Sequence, residues 1–455
     1  MTGIVVDFQN VVYNPLVGVM SADLGLTFGQ VGWIINALPV ASAFALGLST
    51  RYADIVGHRR VLIPLVFLGI VGSVVSATAD GFLMMVIGRA LVGVAISAPM
   101  AWGLLKSNGS DRDVETGALV NGTAISIATP IGLILGGALL SLGLSWSISF
   151  WIIGAGYAVL LVMAILAPET PPRSRSEVSL DWFGAIGLTG WLVCLLIAVS
   201  EGPTRGWLSA PIIVLYIATV VIFSVWLLQQ RRSIAPLMDF RDMDVPQVVT
   251  GYVAFVTVFM LAYGLYILIP SFALTAPAAG YGFGMDQLEA GLILLPILPS
   301  TIVAIFVTRF MLRCWGPRTS LVVGGLICTV AFVGYALFTA SAWQLYLCTA
   351  VYGLGVVICF NVGMSLVAAS ARSDNMSITL GVQFSIALPA SAIAVAVVLA
   401  ILDPGTSGEV PSVSAFTTSY VLLAAVSLIG FVLVPILIAP TTIRHWEHQP
   451  QIPRT

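Results

Sequence analysis

The stretch Thr50–Leu62 reads TRYADIVGHRRVL. Arg51, Asp54, Arg59 and Arg60 crowd together there, in a chain of which only 8 % is charged. Long apolar runs flank the stretch on both sides. Gly57 supplies a position at which the backbone can turn without a Cβ in the way. Two bilayer-crossing helices joined by so short a loop form an antiparallel hairpin. Connections rich in Lys and Arg stay in the cytoplasm, so this loop is expected on that side.

Composition agrees with a chain that crosses lipid repeatedly. Hydrophobic residues are 59 % of the 455, and mean hydropathy is +1.04. A soluble domain carries about 45–50 % apolar and about 25 % charged residues. The fold class implied is an all-α polytopic membrane protein, with the lipid bilayer as its surroundings. A net charge of −2 offers nucleic acid no electrostatic hold. The N-terminus lacks a basic n-region and a small-residue cleavage site, so no cleavable signal peptide is expected. Cys194, Cys314, Cys328, Cys348 and Cys359 lie in or beside apolar runs without CxxC spacing. They read as small packing residues, with no disulfide framework.

A spanning helix needs about 20 apolar residues. That rule gives fourteen spans, near 4–20, 30–49, 62–78, 82–104, 117–140, 147–166, 182–200, 210–228, 248–272, 288–308, 319–339, 344–368, 378–401 and 416–438. Alternation from a cytoplasmic N-terminus puts all 18 basic residues inside or at the inner face, except Arg205 outside and Arg89 within a span. An even count leaves both termini cytoplasmic. The polar loops 168–180 and 229–247 divide the chain into six, two and six spans. The expectation is a six-helix bundle over 1–167, linkers and two inserted helices over 168–246, a second six-helix bundle over 247–440, and a cytoplasmic tail over 441–455. A weak repeat supports it: Gly316–Arg318, preceded by Arg313, follows the second span of the last block, where the 50–62 loop stands in the first.

Ionisable residues inside a membrane are costly and point to function. Arg89, in span 4, stays charged and so must pair or face a cavity. Asp7, Asn10 and Asn14 share one face of span 1. A carboxylate there can take and release a proton if burial raises its pKa, and the plainer reading is an interfacial aspartate at a helix start. Trp33, Asn36, Asn121, Tyr263, Tyr266, Asn361 and Gln383 add polar and aromatic groups within spans. Together they suit a small-molecule cavity, although each taken singly also suits interhelical packing. In span 5, Pro130 precedes Gly132, Gly136 and Gly137. The GxxxG spacing allows close helix contact, and proline weakens the helix there.

Other chemistries find no residues. His58, His445 and His448 all lie in expected cytoplasmic segments, so no intramembrane metal or haem site is expected, and no cofactor. The single lysine, Lys106, follows Leu105, so there is no GxxxxGK phosphate loop and no expectation of ATP as a partner.

With these residues in view, ADIVGHRRVL resembles the signature loop between helices 2 and 3 of the major facilitator superfamily. The fourteen-span layout is similar to that superfamily's drug:proton antiporter branch. GRALVG in span 4, the span-5 Pro/Gly run, DWFGAIGL, EGPTRGW, PLMDFR and LEAGLILLP extend the likeness along the chain. The resemblance implies two bundles of inverted three-helix repeats that rock about a path between them. It implies that Arg51, Asp54, Gly57, Arg59 and Arg60 form a conformational-switch loop, and that Arg89 and Asp7 match proton-linked positions. The sequence departs from the pattern at Thr50, at Val92, at Leu133 where a proline is usual, and at Gln9 and Val12. The family's first span also begins well before its aspartate, so upstream residues are expected.

The expected function is export of small amphipathic drugs or metabolites in exchange for protons, in the bacterial inner membrane. An uncoupled facilitator or importer is the alternative. A membrane-embedded enzyme would show clustered carboxylates or histidines within its spans, and a non-transporting sensor would bind without moving its ligand.

Overall fold

The computed structural model describes residues 5, 8–9, 11–26, 28–96, 98–110, 116–117, 120, 128, 131–169, 181–233, 244–370, 376–402, 411–439 and 442–443. Among these residues every regular element is helical. A 3₁₀ turn, Asn14–Leu16, leads into α1 (Val17–Asp23). Then come α2 (Phe28–Val56), α3 (His58–Ala77), α4 (Phe82–Val94), α5 (Ala98–Asn108), α6 (Ile131–Ser141) and α7 (Ser147–Leu166). A helix pair follows, α8 (Trp182–Arg205) and α9 (Ala210–Arg232). The last group is α10 (Val245–Leu274), α11 (Gln287–Leu292), α12 (Ile297–Leu337), α13 (Ala342–Ser370), α14 (Met376–Leu402) and α15 (Val413–Ser427). A π turn, Leu428–Leu433, joins α15 to α16 (Val434–Ile438).

Ten stretches of the described residues are long and apolar enough to cross a membrane, and Ile131–Ser141 and Ile186–Val199 are shorter apolar helices. One of the ten, Gln287–Leu337, has 51 residues. At about 1.5 Å per residue that is over twice the hydrocarbon thickness of about 30 Å. Gly316, at φ 76°, interrupts its helix.

The connection at 50–62 is tighter than a loop. α2 continues to Val56 and α3 starts at His58, so Arg51 and Asp54 stand in the last turns of α2. Nothing between Thr50 and Val56 breaks a helix. The chain turns only at Gly57, at φ 105°, a conformation that side-chain-bearing residues rarely adopt. Gly316 repeats the device, with Pro317 after it, a residue preorganised for a first helical turn.

In both places an arginine two residues beyond the glycine reaches another helix's last turn. Arg59 Nη2 donates to the Ile165 carbonyl of α7 at 2.5 Å. Arg318 Nη2 donates to the Ile436 carbonyl of α16. The final carbonyls of a helix lack backbone partners and carry the negative end of its dipole, so a cation is favoured there. Arg60 adds a 3.7 Å ion pair with Glu169.

Helices α2, α3, α4 and α7 pack on one another, and α10 and α12–α15 form a second group. α14 crosses between the groups to touch α2 and α5, and α8 lies against both α2 and α14. A Cβ on Gly381 of α14 would stand 2.7 Å from the Thr50 side chain of α2. A Cβ on Gly137 of α6 would stand 2.7 Å from the Gln287 carbonyl of α11. These two approaches sit at opposite ends of the molecule. α7 finishes beside Arg59, near Thr50, and starts after the short turn that follows α6.

The ends of the α8–α9 pair meet. Asp181 caps α8, its Oδ1 accepting from the Gly184 amide at 2.7 Å. The same carboxylate accepts from Gln229 Nε2 at 2.9 Å and Gln230 Nε2 at 2.7 Å, at the far end of α9. Trp226 Nε1 donates to the Gly184 carbonyl at 2.8 Å. Leu188, Trp191 and Leu192 of α8 share an apolar cluster with Val382 of α14 and Val248 of α10. α9 buries only 11 % of its apolar window and turns Ile213, Ile217, Val221 and Val225 outward.

Candidate functional site

Arg89 is among the largest fully buried side chains of the molecule, 1 % exposed in α4. Its guanidinium lies 4.0 Å from the centroid of the Tyr13 ring. Arg89 Nη1 donates to the Gln9 carbonyl at 3.3 Å. The Gln9 side chain is itself fixed, its Oε1 accepting from the Tyr157 hydroxyl of α7 at 2.7 Å. Three segments thus converge on one cation: the N-terminal segment, α4 and α7. Arg89 Nε and Gln9 Nε2 have no hydrogen-bond partner among the described residues. No acidic side chain among those residues pairs with Arg89. A buried charge is tolerated when ring faces and backbone dipoles surround it, and unused donors beside it favour an anionic acceptor.

Gly132 and Gly136 of α6 bring that helix against the same N-terminal segment. A Cβ on Gly136 would stand 2.2 Å from the Val12 carbonyl, and one on Gly132 2.7 Å from Val11 Cγ2. A contact that close tolerates no side chain.

The second group offers a different surface. Phe255, Phe259, Tyr263 and Tyr266 run up one side of α10 as linked rings, with centroid separations of 4.8, 6.0 and 5.8 Å. Phe384 of α14 and Phe360 of α13 meet Phe255 at 4.9 and 5.2 Å. Phe255 and Phe259 are buried, whereas Tyr263 and Tyr266 are half-buried. Asn361 of α13 is fully buried, and neither side-chain polar atom has a hydrogen-bond partner among the described residues. Gln383 of α14 is equally buried, donates to the Gly251 carbonyl at 3.5 Å, and has Oε1 unpartnered in the same sense.

The remaining residues singled out in the sequence are placed as follows. Trp33 is exposed at 39 % on α2. Asp7, Asn10, Asn121 and Pro130 lie outside the described residues. Asn14, Asn36, Arg51 and Asp54 are described in backbone position only. Among the described residues no group of three or more His, Cys, Asp or Glu could hold a metal ion.

Comparison with known proteins decides the family. A model of the Major Facilitator Superfamily matches residues 1–395. The chain belongs to the Major Facilitator Superfamily. Two relatives are a tetracenomycin C resistance and export protein of Streptomyces glaucescens and the cephamycin export protein CmcT of Amycolatopsis lactamdurans. The first is 26 % identical over 337 residues, 72 % of this chain and 60 % of the relative. The second is 27 % identical over 440 residues, 91 % of this chain and 86 % of the relative. The chain therefore spans less than two thirds of the first relative's length. Among solved structures, the proton:xylose symporter XylE aligns over 98 % of this chain and 95 % of its own at TM-score 0.67 and 13 % identity, a likeness of fold. The superfamily is one of transporters rather than enzymes, and this member is a multi-pass protein of the bacterial cell membrane.

Several of the sequence likenesses have structural reasons in this superfamily member. In DWFGAIGL, Asp181 is the helix cap described above, and a Cβ on Gly184 would stand 2.3 Å from Asp181 Oδ2 and Gln230 Nε2. In EGPTRGW, Glu201 pairs with Arg205 at 2.7 Å, and Gly206 turns the chain at φ 88°. At LEAGLILLP, Asp286 and Glu289 close a capping box at the start of α11. Sequence reading passed over Gln9 and Tyr157 as members of the Arg89 site. Gln9 stood out only as a departure from the family pattern, and a tyrosine in an apolar span carries no signal by itself. Thr50, another departure, is the residue on which Gly381 closes.

Proposed function

We propose that this protein exports small amphipathic molecules in exchange for protons, by alternating access between two six-helix bundles. In this reading the chain crosses the membrane fourteen times, with both termini in the cytoplasm. The bundles are residues 1–167 and 247–440, and α8 and α9 are the inserted pair. The junction at Gly57, with Arg51, Asp54, Arg59 and Arg60, is the conformational switch. Arg89 and Asp7 carry the coupling. The substrate path is lined by Asn10, Asn14, Trp33, Asn36, Asn121, Tyr263, Tyr266, Asn361 and Gln383.

The observation that carries the reading is the setting of Arg89. A fully enclosed guanidinium with an unused Nε leans on the N-terminal segment, and Asp7 stands two residues before the Gln9 that holds it. In this reading a proton on the Asp7 carboxylate, or a movement of its helix, removes the attraction between it and Arg89. Two states separated by a few kcal/mol are then biased by proton and substrate binding. The export names of the two relatives support the direction and the class of cargo.

The test uses purified protein in proteoliposomes with an internal pH dye. Substrate addition is expected to move protons with wild type and not with Asp7→Asn or Arg89→Lys. Substrate flux that continues unchanged after the proton gradient is collapsed would remove the coupling. One observation favours that second reading, an uncoupled facilitator: Val92, on the helix face beside Arg89, is apolar and 1 % exposed, leaving Arg89 no polar neighbour one turn along α4.

A further inference from the structure

We infer that the cargo is an uncharged or anionic aromatic molecule and that permanent cations are excluded. The inference rests on the transport reading above and narrows its substrate.

The argument is one of charge. α10, α13 and α14 contribute 30, 29 and 27 residues to the second group, and none is Asp, Glu, Lys, Arg or His. What they offer is the ring row ending in half-buried Tyr263 and Tyr266, and the carboxamides of Asn361 and Gln383 with hydrogen-bonding atoms unspent. On the first group the one fully buried charge among the described residues is positive, Arg89, which the transport reading sets on the same path. Described carboxylates stand at helix ends instead: Asp23 accepts from Trp146 Nε1 at 3.0 Å, and Glu289 closes its capping box.

A permanent cation on that path would lose its water, find no carboxylate on α10, α13 or α14, and, in the transport reading, meet a like charge at Arg89. Ring faces attract cations, but Arg89 is held by a ring and a backbone carbonyl acceptor together, and a permanent cation whose charged nitrogen carries no N–H has the ring alone. A flat uncharged molecule loses little on desolvation, stacks on the ring row, and satisfies a carboxamide through a carbonyl or hydroxyl. An anionic one also gains from Arg89. Asp7 is the single acidic residue of the first apolar stretch. In the transport reading it is paired with Arg89 or protonated, and so adds no net negative charge.

The experiment compares three fluorescent probes in everted membrane vesicles: neutral Nile red, anionic anilinonaphthalene sulfonate, and cationic ethidium. The full chain is expected to move the neutral or the anionic probe about tenfold or more faster than ethidium, which stays at the level of vesicles lacking the protein. Gln383→Glu, and independently Asn361→Asp, place a carboxylate beside the ring row and are expected to bring ethidium transport above that level. Ethidium movement by wild type at the rate of Nile red overturns the inference, and its loss in Asp7→Asn would identify the carboxylate responsible. Failure of both Nile red and the sulfonate to move overturns it as well. Gradient-driven ethidium export would leave the antiport reading standing, whereas Nile red export indifferent to the gradient would leave the substrate class standing and remove antiport.

Discussion

Arg89 is held by geometry that a lysine cannot copy. The guanidinium covers the Tyr13 ring and still reaches the Gln9 carbonyl. An ammonium is a compact, strongly hydrated point charge and does not stack in this way. Arg89→Lys is therefore expected to lose transport as fully as Arg89→Ala while the protein still inserts, as measured by probe flux against surface-normalised amount. Tyr157→Phe removes the 2.7 Å hydrogen bond to Gln9 and leaves a buried carboxamide oxygen unpaired, at a cost of about 1–3 kcal/mol. The expected result is a lower thermal midpoint in detergent. Arg89 was legible as a buried charge in an apolar run. Its neighbours were not, because Gln9 and Tyr13 of the N-terminal segment and Tyr157 of α7 stand 80, 76 and 68 residues from Arg89 in the chain, and no local periodicity brings such residues together. Asn361 and Gln383 were legible as polar residues in spans. That their hydrogen-bonding atoms go unused was not, since satisfaction is a property of neighbours.

At the scale of elements, the glycine junctions invite a paired experiment. Gly57→Ala forces a Cβ into φ 105° and is expected to cost about 1–3 kcal/mol. Gly81→Ala, in extended backbone with nothing within 4 Å of the added atom, is expected within about 0.5 kcal/mol of wild type. Thermal denaturation in one detergent reads both, and equal losses would contradict the account of the junction. Arg59→Ala and Arg318→Ala each strip a cation from a helix end, worth about 0.3–1 kcal/mol, and are expected to lower stability by similar amounts. The repeat itself was visible in the sequence as two glycines each with an arginine two residues on. What sequence patterning misjudged was the extent of the connection. Charged residues read as a loop, yet Arg51 and Asp54 are helical, because charge does not end a helix and only Gly57 supplies a backbone that does.

For the whole molecule, on the alternating-access reading, the two approaches between helix groups set the range of motion. Thr50 meets Gly381 at one end, and Gly137 meets Gln287 at the other. In a rocking transporter one of these contacts opens while the other persists. The double variant Thr50→Cys, Gly381→Cys is expected to cross-link under mild oxidant, to stop probe flux, and to recover it on reduction. Cross-linking that leaves flux intact would show that this end does not separate during transport. Long apolar stretches were readable from hydropathy along the chain, since lipid demands long uncharged helices, and ten of them appear as spanning-length helices among the described residues. Which helices cross between groups was not, because α2 and α14 lie more than three hundred residues apart along the chain.

The Asp181 carboxylate, which ties the first residue of the α8–α9 pair to the last turn of α9, carries one more consequence. The pair departs from and returns to one spot, although α8 also packs on α2 and α14 in between. In the fourteen-span reading its loss leaves the parity of crossings unchanged, so every later helix keeps its direction. A shortened chain joining residue 169 to residue 244 through a brief polar tether is therefore expected to insert its later helices in unchanged orientation, while baring the apolar faces that Val248 and Val382 present to α8.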